Sequence, residues 1–288
     1  MATYIRASIV GLITMLVYQR DLSVQMNKTR IYKVTDFGWQ MAQKMRFLNL
    51  DQAVARFGVQ VKHDADFTKP EWQARKDTHK IDLVFDVLNF QREYGFEYLG
   101  NCPRLVVTPL TERCQRALLV ALQFHFGGAP EGPFGTGKTE TTKDLARTLA
   151  KLCFVNNVST HIEYDKMLRF FKGIASAGAW VIFDEFNRLD AKILSMLSQI
   201  IINIQNAIRK KVAFVHLDEN KVPLNFNCAV FITLNPGYKG RQDLPMDLKN
   251  LFRSISMMVP DSFFITEILL FSAGFKNAQV LAKKLCDV

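Results

Sequence analysis

Apolar positions in the first hundred residues recur mostly at helical spacing. The run Ser8 to Tyr18 (SIVGLITMLVY) is almost continuously apolar. It is too short to span a bilayer and no small-residue cleavage site follows it, so it reads as a buried helix or strand. Asp36 is placed to cap a helix running through Trp39, Met41, Ala42, Met45 and Phe47, and a second helical pattern runs through Ile81, Val84, Phe85 and Leu88. The polar, charged stretch Asp64 to Lys80, with Pro70, is expected to be an exposed connection. From about Cys102 the pattern changes to helices alternating with short apolar runs, the signature of a parallel sheet covered on both faces. Strands are predicted at Leu152 to Val158, Ala179 to Phe183, Cys228 to Leu234 and Ser256 to Val259, with a weaker one at Phe124 to Ala129. Helices are predicted at Cys114 to Leu122, Asp144 to Lys151, Asp165 to Ser176 and Ala191 to Arg209.

Composition places the chain among ordinary globular proteins: 288 residues, 49% hydrophobic and 22% charged. The net charge of +10 tolerates a polyanionic partner. Yet the basic residues are scattered in pairs such as Lys210-Lys211 and Lys283-Lys284, which suits solvated helix faces, and no nucleic acid is expected. Five cysteines without a Cys-x-x-Cys or Cys/His cluster argue against a disulfide framework and a zinc site, and fit a reducing compartment.

The segment Gly132-Pro133-Phe134-Gly135-Thr136-Gly137-Lys138-Thr139 satisfies G-x-x-x-x-G-K-[ST] in full. Chance would produce it on the order of once in a hundred chains of this length. Glycines there let backbone N–H groups curl around phosphate oxygens, and a following helix adds its positive end. Lys138 is then expected on the β- and γ-phosphates and Thr139 on Mg²⁺. The alternative is a glycine-rich turn with an incidental lysine.

At Ala179 to Glu185 (AWVIFDE) an apolar strand ends in two acids. Asp184 is the candidate to hold Mg²⁺ and Glu185 to polarise the attacking water; alone, the pattern also describes a strand meeting a polar loop. The strand Ala229 to Leu234 ends in Asn235-Pro236, which places an amide at the carboxyl edge of the sheet or simply forms a turn.

The stretches VTPLTERC (Val107 to Cys114), GGAPEGPFGTGKTETTKDLA (Gly127 to Ala146), GAWVIFDEFNR (Gly178 to Arg188), ITLNPGYKGRQDLP (Ile232 to Pro245) and LKNLFRSISMMVPD (Leu248 to Asp261) strongly resemble dynein heavy chains. Upstream, FGWQMAQKMRF (Phe37 to Phe47) and YGFEYLGN (Tyr94 to Asn101) resemble the end of the dynein linker and its entry into the first AAA+ module. The resemblance implies an α/β fold: an AAA+ P-loop NTPase large domain with a parallel sheet at 104–260, preceded by a mainly helical linker remnant at 1–103 and followed by the start of a truncated helical lid at 261–288. It implies ATP and Mg²⁺ as ligands, Asn235 as the first sensor, and an adenine pocket beginning at Leu105, Val106 and Pro109. Arg253 matches the position of an arginine finger offered to a neighbouring module; the alternative is a residue that pairs within its own element. Phe134 stands where the family usually has alanine, and its ring either points away or crowds the loop.

In the intact motor the resemblance implies ATP hydrolysis that drives movement towards microtubule minus ends. The implied partners are microtubules, intermediate, light-intermediate and light chains, and the adjacent AAA+ modules. The implied location is cytoplasm and cytoskeleton, with wording such as TERCQ leaning towards the ciliary axoneme. No membrane segment is expected, and the isolated chain is expected to be slow or inactive. The other readings are an AAA+ ATPase of a different remodelling machine and a nucleotide-binding regulatory module without hydrolysis; the intact Glu185 argues against the latter.

Overall fold

The computed structural model describes residues 3–49, 81–88, 90–157, 164–218, 220–237 and 244–287. The chain divides into two units, one formed by 1–23 with 97–288 and the other by 24–96. The stretch Asp64 to Lys80, read as an exposed connection, lies outside the described residues.

In the smaller unit the helix expected after Asp36 is the short α2 (Phe37–Met41). The Asp36 carboxylate accepts from the Tyr32 and Lys33 amides instead of capping α2, and Ala42 is already extended. The chain then forms an antiparallel sheet of β1 (Lys44–Asn49), β2 (Ile81–Val87) and β3 (Phe90–Glu93), with β2 central. The helical reading of Ile81 to Leu88 is therefore corrected. Four consecutive positions, Val84 to Val87, are buried, which one face of a helix cannot achieve but a central strand covered on both sides can. The buried Asp86 is paired with Arg46.

In the larger unit the apolar run Ser8 to Tyr18 lies within α1 (Thr3–Lys28). It is helical, as one of the two readings had it, but it buries only the stripe Gly11, Thr14 and Val17 while Leu12 and Leu16 stay exposed. No helix among the described residues is long and apolar enough to cross a membrane. Val17 packs with Val106 and Ile268 in a small apolar cluster.

The site is organised by a parallel five-stranded sheet in the order β10-β4-β9-β6-β5, formed by β4 (Gly127–Glu131), β5 (Cys153–Asn157), β6 (Trp180–Asp184), β9 (Ala229–Ile232) and β10 (Phe252–Ser256). Helices α3 (Pro109–Gln123), α4 (Lys138–Thr148), α5 (Tyr164–Ala177) and α6 (Ala191–Arg209) connect and cover it. The main core joins α5 and α6 to β6 and β9, with the fully buried Phe183 ring 5.4 Å from Phe171 and 5.6 Å from Phe186. No disulfide joins the five cysteines.

Two strands are displaced from their expected places. Phe124 caps α3 and His125 adopts a left-handed turn, so β4 begins only at Gly127. Its small residues have a packing reason: a Cβ on Gly127 would come within 2.3 Å of the Phe252 ring, and one on Gly128 within 2.2 Å of Leu118. The last strand lies at Phe252–Ser256 rather than Ser256 to Val259, because Phe252 and Ile255 supply the buried positions while Met258 and Val259 are exposed. The hairpin β7 (Phe214–Leu217) and β8 (Asn220–Pro223) was not anticipated; the buried Val215, Leu217 and Val222 alternate with exposed residues around Asp218, which is the signal that marks it. Two further helices, α8 (Ser262–Ser272) and α9 (Ala278–Cys286), pack together after β10, with the short α7 (Met246–Lys249) before it.

Candidate functional site

The loop Gly132 to Gly137 joins the end of β4 to the start of α4. Gly135 and Gly137 adopt left-handed backbone, φ +76° and +78°, where glycine carries no Cβ penalty. A Cβ at Gly132 would sit 2.3 Å from the Met257 carbonyl oxygen, so glycine permits the loop to press against the chain leaving β10. Lys138, the first residue of α4, is buried and donates through Nζ to the carbonyls of Gly132 (2.9 Å) and Pro133 (2.6 Å) and to Thr136 Oγ1 (3.3 Å). Burial holds its ammonium below the ordinary lysine value, and the charges of Asp184 and Glu185 pull it partly back.

Across the loop, β6 delivers Asp184 and Glu185. Thr139 Oγ1 donates to Asp184 Oδ1 at 2.7 Å. Glu185 is left-handed, φ 55° and ψ 45°, an uncommon conformation for a residue with a side chain. Its carboxylate is held at both oxygens: Asn235 Nδ2 donates to Oε1 at 3.1 Å, and Arg188 Nε lies 2.5 Å from Oε2. Asn235, almost wholly buried, leaves β9 beside the loop, and its carbonyl accepts from Asn187 at 3.3 Å.

Sequence reasoning did not single out three other groups here. Arg188 is one. Thr233 is a second, a fully buried hydroxyl that donates to Asp184 Oδ1 at 2.5 Å and accepts from the Glu185 amide at 3.0 Å; a hydroxyl in the otherwise apolar AVFITL was its signal. Asp144 is the third. From inside α4 it accepts from Arg104 Nε (3.1 Å), the Leu105 amide (3.3 Å) and Gln115 (3.4 Å), and so ties the chain entering α3 to the helix that follows the loop.

A cavity of about 460 Å³ opens over the loop, with Lys138, Thr139, Asp184, Glu185 and Asn235 in its lining and the half-exposed Phe134 among them. Phe134 thus contributes to the wall of the cavity. Leu105, Val106, Pro109 and Arg253 are not among its lining residues. Leu105 is fixed through its amide, Val106 is buried in the cluster with Val17 and Ile268, and Pro109 opens α3 behind the capping Thr108. Arg253 projects from β10 as an exposed side chain opposite Gly128, within the strand rather than at the loop. Among the described residues no cluster of three or more His, Cys, Asp or Glu could hold a metal by itself. A phosphate loop does not need one, since Mg²⁺ bound there takes few protein oxygens and completes its shell with phosphate and water.

The sequence pattern of the family described as the hydrolytic ATP binding site of dynein motor region matches residues 94–288. The chain is 45% identical to human dynein axonemal heavy chain 3 over 269 residues, 93% of this chain and 6% of that protein. It is 57% identical to the mouse protein of that name over 192 residues, 67% of this chain and 5% of the other. Human dynein axonemal heavy chain 6 is 42% identical over 286 residues, 98% of this chain and 6% of that one. The chain therefore spans only about one twentieth of the length of these relatives.

Proposed function

Because this chain belongs to the dynein heavy chain family and carries its hydrolytic ATP-binding region, we propose that it binds Mg·ATP over the loop Gly132 to Thr139 and hydrolyses it to ADP and phosphate. One observation carries the reading: Lys138, Thr139, Asp184, Glu185 and Asn235 converge on a single cavity. Loop amides and the first turn of α4 receive the phosphates. Lys138 takes the β- and γ-phosphates, and Thr139 and Asp184 hold Mg²⁺, which when bound neutralises charge on the phosphate oxygens. Glu185 orients and polarises the attacking water as its general base, and Asn235 aims the Glu185 carboxylate.

The family membership sets aside a different remodelling machine, and a match to a hydrolytic site favours hydrolysis over a purely regulatory role. In the full motor this cycle powers movement towards microtubule minus ends, and the axonemal relatives point to the cilium. We assign 1–103 to the end of the linker, 104–260 to the AAA+ α/β domain and 261–288 to the start of the lid. Microtubules, the intermediate, light-intermediate and light chains, and the adjacent modules, one of which would receive Arg253 as a finger, are the partners of that larger assembly.

Titration of a fluorescent ATP analogue with and without Mg²⁺ tests the reading. Saturable binding, strengthened by Mg²⁺, is expected; its absence in both conditions would rule the reading out. The adenine pocket at Leu105, Val106 and Pro109 has its own test, because Asp144 anchors the Leu105 amide. Asp144→Asn should weaken ATP binding by about tenfold, one charge-assisted hydrogen bond's worth, while leaving tripolyphosphate affinity unchanged. Equal losses for both ligands would place the base elsewhere.

A further inference from the structure

We propose that Thr233 is a positioning residue that sets both acids of the site through one oxygen atom, a role that rests on the reading of Asp184 and Glu185 given above. The β6–β9 pairing carries it there: Phe183 stands opposite Ile232, the Thr233 amide donates to the Phe183 carbonyl at 2.9 Å, and the Phe186 amide donates to the Thr233 carbonyl at 3.1 Å. With its main chain bonded on both sides, the Thr233 side chain is a fixed platform rather than a mobile ligand.

The chemistry of the hydroxyl then determines the arrangement. It has one proton to give and lone pairs to receive. The Glu185 amide can only donate, at 3.0 Å, so the Thr233 proton is directed to Asp184 Oδ1 at 2.5 Å. That oxygen also receives the Thr139 hydroxyl at 2.7 Å, which fixes the carboxylate against the start of α4. The same Thr233 oxygen holds the amide of Glu185, whose left-handed backbone is sparsely populated for a residue with a side chain and must be kept in place by its surroundings. A valine would fill the same space in this dry strand. A buried hydroxyl is favourable there only because both of its bonds are made.

The test compares Thr233→Val, which keeps shape and removes the hydroxyl, with Thr233→Ser, which keeps the hydroxyl. Binding of a fluorescent ATP analogue by the full chain is titrated with Mg²⁺, and exchange of the Glu185 amide proton is followed by NMR without nucleotide. The gain in nucleotide affinity from Mg²⁺ should fall about tenfold or more in Thr233→Val, the size seen when groups that orient metal ligands are removed. Affinity without Mg²⁺ should stay near that of the parent, and Thr233→Ser should behave as the parent. Parent-like Mg²⁺ dependence in Thr233→Val, or equal damage in both variants, would overturn the proposal, since packing alone would then account for the residue. Should no protein bind nucleotide, the functional reading fails and the exchange measurement decides this one: faster exchange at Glu185 in Thr233→Val alone supports it, and unchanged exchange overturns it.

Discussion

Replacing Glu185 with glutamine should leave ATP bound and slow its hydrolysis by about 10²–10⁴-fold, the range a positioned general base supplies. The geometry favours so clean a separation. Glu185 Oε1 already accepts from Asn235 Nδ2, and Oε2 faces Arg188; glutamine keeps the shape and the acceptor oxygen for Asn235, gives up the ion pair with Arg188, and cannot take a proton from water. Lys138 is held by the loop carbonyls of Gly132 and Pro133 rather than by the reacting carboxylate's shape, which glutamine keeps, so phosphate binding should survive. Single-turnover hydrolysis with protein in excess, followed for hours, reads rates as slow as the roughly 10⁻⁴ s⁻¹ of a small GTPase acting without an arginine finger. A Glu185→Gln variant that hydrolyses ATP as fast as the parent would remove Glu185 from the chemistry.

The second large effect is expected at Lys138. Lys138→Ala should weaken nucleotide binding by roughly 10²–10⁴-fold, because two hydrogen bonds from an ammonium to phosphate oxygens, at about 1.5–3 kcal/mol each, disappear together. The same titration read in the parent checks it, and saturable binding at parental affinity would show that the loop does not hold phosphate through this residue. A lysine that served only stability would behave differently, and its pKa supplies the contrast. Burial holds the Lys138 ammonium below its ordinary 10.5, with Asp184 and Glu185 recovering part of the loss. A lysine whose folded value is depressed opposes folding fully at pH below that value, and the opposition fades as pH rises towards 10.5. At neutral pH the charge is therefore a burden on the fold. Lys138→Met, which keeps the apolar stem, should lose nucleotide binding with little change in melting temperature, since relief of the buried charge is offset by the loop carbonyls of Gly132 and Pro133 that lose its hydrogen bonds.

Much of this site is legible in the sequence. The phosphate loop, the two acids after WVIF and the amide after AVFITL all lie in short contiguous motifs, and the helix Ala191–Arg209 falls where its periodicity placed it. Local chemistry determines such features: glycine alone tolerates the left-handed turns at 135 and 137, and a strand buried on both faces must be continuously apolar. The misplaced elements share the opposite property. Ile81 to Val87 satisfies helical and strand spacing almost equally in so short a run, and its pairing with Lys44–Asn49 and Phe90–Glu93 settled the choice. Phe124 and Phe126 looked like strand residues, yet they lie in an exposed turn because the close approach of Leu118 and Phe252 admits only glycine where β4 begins.

The sequence by itself determined which chemical groups this protein has and at what spacing along the chain. Only the tertiary structure decided which of them meet. Thr139 and Asp184 are 45 positions apart and Glu185 and Asn235 are 50 apart, and no local preference brings such pairs to hydrogen-bond distance. The parallel register does so, with Phe183 opposite Ile232 and Glu131 bridged to Leu234, which aligns the ends of three strands at one edge. For the same reason Thr233, one polar residue in an apolar strand, acquired meaning only when that register set its hydroxyl between Asp184 and the Glu185 amide.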